Sequence, residues 1–200
     1  MAEKNPETGG TSGKYKHAYW RDSFDAFDDA VGFASRQAWF YALCAISFLV
    51  PFSLGEPQLL VGTIVNAALV AGAFKLRGWE ILPLVVLPSI ATLSRGIIFG
   101  PFTPYLAIML PFIWVGNALL VLAVKRFVVA DKRNFALGNA IGIAAKVALL
   151  FGSAYALYSL KVIPAVFLTA MGVFQLITAL LGAGLAFGAL KAEARFARTP

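Results

Sequence analysis

Histidine and cysteine are almost missing from this chain, which has one of each in 200 residues, His17 and Cys44. A single cysteine cannot close an intrachain disulfide. No Cys/His set exists to hold zinc, an iron–sulfur cluster or a bis-histidine haem. No cofactor or metal is expected in the chain itself, and any redox metal would belong to a partner. A GxxxxGK[ST] phosphate loop is also missing, so the chain cannot hydrolyse ATP unaided. Charge is scarce, at 14% of residues, and no Asp or Glu falls inside any long apolar run. That removes the acidic relay of a proton-driven carrier. With no Ser–His or Asp–Asp pair in the runs, acid–base and nucleophilic catalysis lack their groups too. No enzyme is expected, and no ring of like charges or filter motif points to a channel.

What fills the chain instead is apolar: 60% of residues are hydrophobic and the mean hydropathy is +0.77. A bilayer core of roughly 30 Å takes about 20 apolar residues per helix. Six runs qualify, at 38–54, 58–75, 81–99, 104–125, 135–158 and 162–190. None alternates with period two as a barrel strand would. The expected fold is all-α and polytopic, with six transmembrane helices in a membrane domain over 38–190 and lipid as its surroundings.

Residues 1–18 are polar, lack the apolar stretch of a signal peptide, and read as a flexible cytoplasmic tail. Residues 19–37 read as an amphipathic interfacial helix. Trp20, Phe24, Phe27, Val31 and Ala34 form one stripe, and Asp22, Asp25 and Asp29 line another face. Membrane-surface helices usually carry Lys and Arg on the polar face. An acidic face is either simply solvated or docks on basic loops or a partner subunit.

Basic residues set the expected orientation. Lys4, Lys14, Lys16, Arg21 and Arg36 precede the first run. Lys75 and Arg77 follow the second, Lys125, Arg126, Lys132 and Arg133 follow the fourth, and Lys191, Arg195 and Arg198 follow the sixth. The other connections are nearly bare. Both termini, including the tail 191–200, are therefore expected in the cytoplasm. The net charge of +7 is mostly this bias, and no nucleic-acid partner is expected.

Polar residues inside spans are rare and face protein or water. Asn66, Asn117, Lys146 and Gln175 fall in the middle thirds of the second, fourth, fifth and sixth runs, and Arg95 lies near the outer end of the third. A midplane lysine costs about 2.5–3.5 kcal/mol to insert. Lys146 therefore snorkels, bonds to backbone, or meets an anionic group from outside the chain. Asn117 and Gln175 bond across helices or contact a ligand, and Arg95 is an anchor or a second cation. Three small-residue pairs, Ala38/Ala42, Gly138/Gly142 and Gly184/Gly188, have the spacing that lets helix backbones approach. Pro104 suits the first turn of the fourth helix, while Pro83, Pro88 and Pro111 fall where they would kink the third and fourth.

The segments "VGTIVNAALV", "LPSIATLSRGIIFGPFTPYLAIMLPFIWVGNALLVLAVK" and "VFQLITALLGAGLA" resemble a family of small six-span prokaryotic membrane proteins often labelled "iron hydrogenase". That family in turn is similar to the substrate-binding S components of energy-coupling-factor vitamin transporters. The resemblance covers about 58–190. The label conflicts with chemistry, because one cysteine cannot ligate hydrogenase clusters. The S-component likeness implies six helices, both termini inside, and a vitamin- or metal-sized cavity opening outward. It also implies a coupling subunit with ATPases, contacted through small residues of the first helix, where Ala38 and Ala42 stand. The expectation is a solute-capture subunit in which Asn66, Asn117 and Gln175 hydrogen-bond a small anionic solute. Trp114 would stack on that solute, and Lys146, with Arg95, would meet its charge. The alternative is a non-catalytic anchor of a membrane complex, possibly a redox assembly.

Overall fold

The computed structural model describes residues 12–54, 57–96 and 100–196. Among these every regular element is helical: α1 Ser12–Ser53, α2 Gln58–Lys75, α3 Ile81–Arg95, α4 Thr103–Ala123, α5 Phe135–Ser159, α6 Val166–Met171 and α7 Val173–Phe196. Two compact units divide at Ala38/Trp39, inside α1. The side chains of 12–31, with Asp22, Asp25 and Asp29 among them, lie outside the described residues. In the part of the first unit that is described, the Arg36 guanidinium sits 5.3 Å from the Phe33 ring centre.

Among the described residues five helices are long and apolar enough to cross a membrane: Gly32–Ser53 of α1, α2, the run Gly100–Ala130 around α4, α5, and the run Val166–Arg195 around α6 and α7. Large apolar side chains such as Leu49, Leu122, Leu180 and Leu185 are exposed around them. A water-soluble surface does not tolerate apolar cover on this scale, and it fits a multi-pass membrane protein.

The third apolar run behaves differently from the other five. Gly96 takes a left-handed conformation (φ 65°) and its N–H closes on Thr92 O at 3.1 Å, ending α3 at Arg95 instead of near 99. Its 15 residues extend about 22 Å, short of a roughly 30 Å hydrocarbon core.

Two other runs carry interruptions. The fourth continues past Ala123 as a π-helix, Val124–Ala130, in which Asp131 N–H reaches back to Arg126 O. A Cβ on Gly138 would sit 2.3 Å from Val128 Cγ2, so the widened turn is accommodated because α5 has no side chain there. The sixth run breaks at Gly172 into the short α6 and long α7. Pro104 occupies the first turn of α4, and Pro111 sits within a helix that continues through it.

α2 packs most extensively on α7, and α4 on α5. The α2–α7 contact is set by glycine: a Cβ on Gly182 would meet Asn66 Cβ at 2.6 Å, and one on Gly62 would meet Thr178 Cγ2 at 2.8 Å. One buried cluster joins α2, α3, α4 and α7 through Leu69, Val70, Leu84, Leu120, Val121 and Ala183. A smaller one joins α4, α5 and α6 through Met109, Leu150 and Phe167. The window of α1 is only 11% buried, against 44% for α2.

Candidate functional site

Lys146 stands near the middle of α5 and is 2% exposed. Gly116 on α4 leaves room for its stem, since a Cβ there would lie 3.4 Å from Lys146 Cγ. Its ammonium donates to Asn66 Oδ1 on α2 at 2.6 Å. Asn66 Nδ2 in turn donates to Gly62 O at 2.9 Å and to Thr178 Oγ1 on α7 at 3.2 Å. The Thr178 hydroxyl donates to Phe174 O at 2.8 Å. This directional chain runs from a cation through an amide and a hydroxyl to a helix carbonyl, and it links three helices.

An ammonium has three N–H donors, and Asn66 is the one hydrogen-bond partner of Lys146 among the described residues. Among the described residues no carboxylate answers the charge. The acidic side chains described are Glu80, Asp131 and Glu193, and these sit at helix ends. The Arg77 N–H donates to Glu80, Arg126 pairs with Asp131, and Lys75 pairs with Glu193 at 2.6 Å.

Beside Lys146 is a cavity of about 110 Å³, whose lining also includes Asn66, Asn117, Gln175, Thr178 and Ser89. Asn66, Asn117, Lys146 and Gln175, which the sequence places at mid-span in four separate runs, are thus brought together. The lining extends to Gln58 and Pro51, at the turn between α1 and α2. Asn66 lies eight residues into α2, about 12 Å along the axis. Asn117 Nδ2 donates to Val85 O at 3.0 Å, a carbonyl in the turn before Pro88, where the proline disturbs the helix ladder. The Gln175 backbone carbonyl accepts from Thr178 Oγ1 at 3.3 Å, while its side-chain amide has no hydrogen-bond partner among the described residues.

Two of the residues considered for ligand contact lie elsewhere. The Trp114 indole donates to Ser89 Oγ at 2.7 Å. It therefore backs a lining residue without itself lining the cavity. Arg95, at the end of α3, donates to the carbonyls of Phe52 and Ser53, the last turn of α1. A cation at helix C-terminal carbonyls is favourable in its own right, and Arg95 does not line the cavity.

The small-residue pairs also separate. Gly138 and Gly142 press on the π-helix and α4, Gly142 with a would-be Cβ 3.1 Å from Ala123 Cβ. Gly184 and Gly188 have nothing within 4 Å, and Ala38 and Ala42 are exposed.

Thr178 and Ser89 carry the polar contacts that sequence reasoning missed. Each bonds a carbonyl of its own helix, Thr178 to Phe174 and Ser89 to Val86. Ser and Thr do this anywhere in a helix, so neither residue type signals a site. Among the described residues no group of three or more His, Cys, Asp or Glu could hold a metal. No family model matches the chain, and no curated protein or solved structure is significantly similar to it.

Proposed function

We propose that this chain is the membrane-embedded solute-capture subunit of an energy-coupling-factor-type importer. The observation that carries the reading is the buried ammonium of Lys146 beside a cavity, held by one amide and, among the described residues, opposed by no carboxylate. A purely structural lysine would snorkel or exhaust its donors on the protein. This one keeps two donors beside open volume, an arrangement suited to a small anionic solute. Gln175 and Asn117 supply further polar contacts.

In this reading α3 is a sixth, short crossing, and both termini are cytoplasmic in a prokaryotic inner membrane. Five crossings would put the termini on opposite sides and mix basic with bare connections on both faces. Six crossings put the basic clusters at Lys75/Arg77, Lys125–Arg133 and Lys191–Arg198 on one side. The cavity mouth, near Gln58, then faces outward. Energy comes from partner ATPases through a coupling subunit.

A second reading is a non-catalytic anchor in a multi-subunit membrane complex, possibly a redox assembly. The exposed small residues Ala42, Gly184 and Gly188, open to close approach by another helix, favour it.

The test is gentle purification of the tagged chain from its host, with every co-purifying protein identified by mass spectrometry. Two ATPases and a shared membrane subunit are expected, and Lys146→Ala should then abolish solute uptake. Electron-transfer subunits in fixed ratio, without ATPases, would establish the anchor instead.

A further inference from the structure

We infer that the cavity beside Lys146 takes a short hydroxy- or oxo-monocarboxylate, not a vitamin and not a dicarboxylate. The inference rests on the capture reading above and adds the size, charge and polarity of the solute.

Size comes from volume. Sites for drug-sized ligands occupy about 300–1,000 Å³, whereas this cavity has about 110 Å³. A water-sized occupant needs roughly 10–15 Å³ on the same measure, so the space admits a solute of up to about seven to eleven non-hydrogen atoms. The walls resist enlargement on the α2–α7 side. There Gly62 and Gly182 already bring the helices to the limit of contact, and the Lys146–Asn66–Thr178 chain ties α5 to both.

Charge comes from counting. Among the described residues Lys146 is the one cation in the lining, and no acidic residue lines it. Arg95, the nearest alternative by sequence position, is engaged with the α1 carbonyls. A single carboxylate on the two remaining ammonium donors neutralises the site. A second carboxylate would be buried with no partner, which is strongly unfavourable in a desolvated setting.

Polarity comes from the amides. The side-chain amides of Gln58 and Gln175 have no hydrogen-bond partners among the described residues, and both residues line the cavity, as do Thr92 and Ser89. A solute with an apolar tail would desolvate these groups without replacing their bonds. One with a hydroxyl or oxo group satisfies them.

The experiment is calorimetric titration of the full chain in lipid nanodiscs with four probes. Lactate is small, singly charged and hydroxylated. Propionate lacks the hydroxyl, malate adds a second carboxylate, and biotin is a larger monoanion. Lactate should bind at least tenfold more tightly than each of the other three. Lys146→Met should weaken lactate at least tenfold and Gln175→Leu by a smaller factor, with both variants eluting monodisperse. Gln175 is only partly buried, so that variant keeps the test alive should Lys146→Met fail to fold. Tighter Lys146-dependent binding of malate or biotin would overturn the solute class and leave the capture reading standing. Lactate binding unchanged in Lys146→Met or Gln175→Leu would overturn the site assignment. Binding of none of the four by a monodisperse wild-type chain would overturn the solute class, and the co-purification test above would then decide the capture reading.

Discussion

The two ends of the helix bundle are built from equally apolar sequence, yet one is sealed and the other is hollow. At the basic end Leu69, Val70, Ala73, Leu76, Leu84 and Val124 are fully buried, and Gly72 admits Leu84 so closely that a Cβ would lie 2.5 Å from it. At the other end Pro51, Pro88, Met171 and Phe174 surround the cavity. Both ends contain irregular helix, so irregularity alone does not open a space. The π-helix at Val124–Ala130 is filled, because Gly138 receives Val128. At the hollow end Gly172 is filled in the same way, since a Cβ there would lie 2.9 Å from Phe151 Cδ2. The open space lies instead beside Pro51 and Pro88, which line it.

Cations follow the same division. At the sealed end Lys125 donates to Leu76 O at 2.5 Å, and Lys75 both pairs with Glu193 and lies 4.9 Å from the Trp39 ring centre. These charges complete helix ends and bridge elements. Lys146 has one neutral amide.

Substitutions can break the contrast, and the largest effect should come from Gly182→Leu. Its side chain would collide with Ala67 N and Thr63 O, both near 2.8 Å from the would-be Cβ. Backbone cannot yield as a side-chain tip can, so destabilisation beyond about 3 kcal/mol is expected, read as loss of monodisperse protein. Next comes Asn66→Leu, which strands the Lys146 ammonium. Loss of a hydrogen bond to a charged group predicts about 2–3 kcal/mol in a denaturation titration. The double variant Asn66→Leu/Lys146→Met should regain most of it, and failure to do so would mean the amide's main role is elsewhere. At the basic end Glu193→Gln removes a half-exposed ion pair and should change stability by under about 1 kcal/mol. Smallest is Gly184→Ala, on an open surface, expected within about 0.5 kcal/mol of wild type. A clear loss of a co-purifying subunit in that variant would instead mark α7 as a partner-facing helix.

How far the sequence was legible depends on what kind of signal each feature leaves. α2 coincides with the apolar run 58–75, and α5 with 135–158 to within a residue, because charge and proline bound them sharply. Mid-span polar residues were legible for the same reason: Asn66 and Lys146 stand out against an apolar background. The end of α3 was not, since Ile97 to Phe99 continue the apolar pattern and only the left-handed Gly96 stops the helix. The break at Gly172 hides among 18 glycines. Which face of each helix turns inward was also hidden, because lipid and core both accept leucine and leave no amphipathic stripe. The joining of Asn66 to Thr178 and of Trp114 to Ser89 is a product of that packing.

The shortness of α3 has a consequence for the lysine beside it. If α3 crosses, its roughly 22 Å is several ångströms less than an average hydrocarbon core. A short span is accommodated by local thinning of the bilayer or by flanking polar groups drawn inward. Thinning beside α3 would bring the outer aqueous phase nearer to the cavity mouth. Lys146 would then stand less deep, in the electrostatic sense, than its place midway along α5 implies. The membrane around this protein would be part of its binding site, thinned on the side where the solute enters.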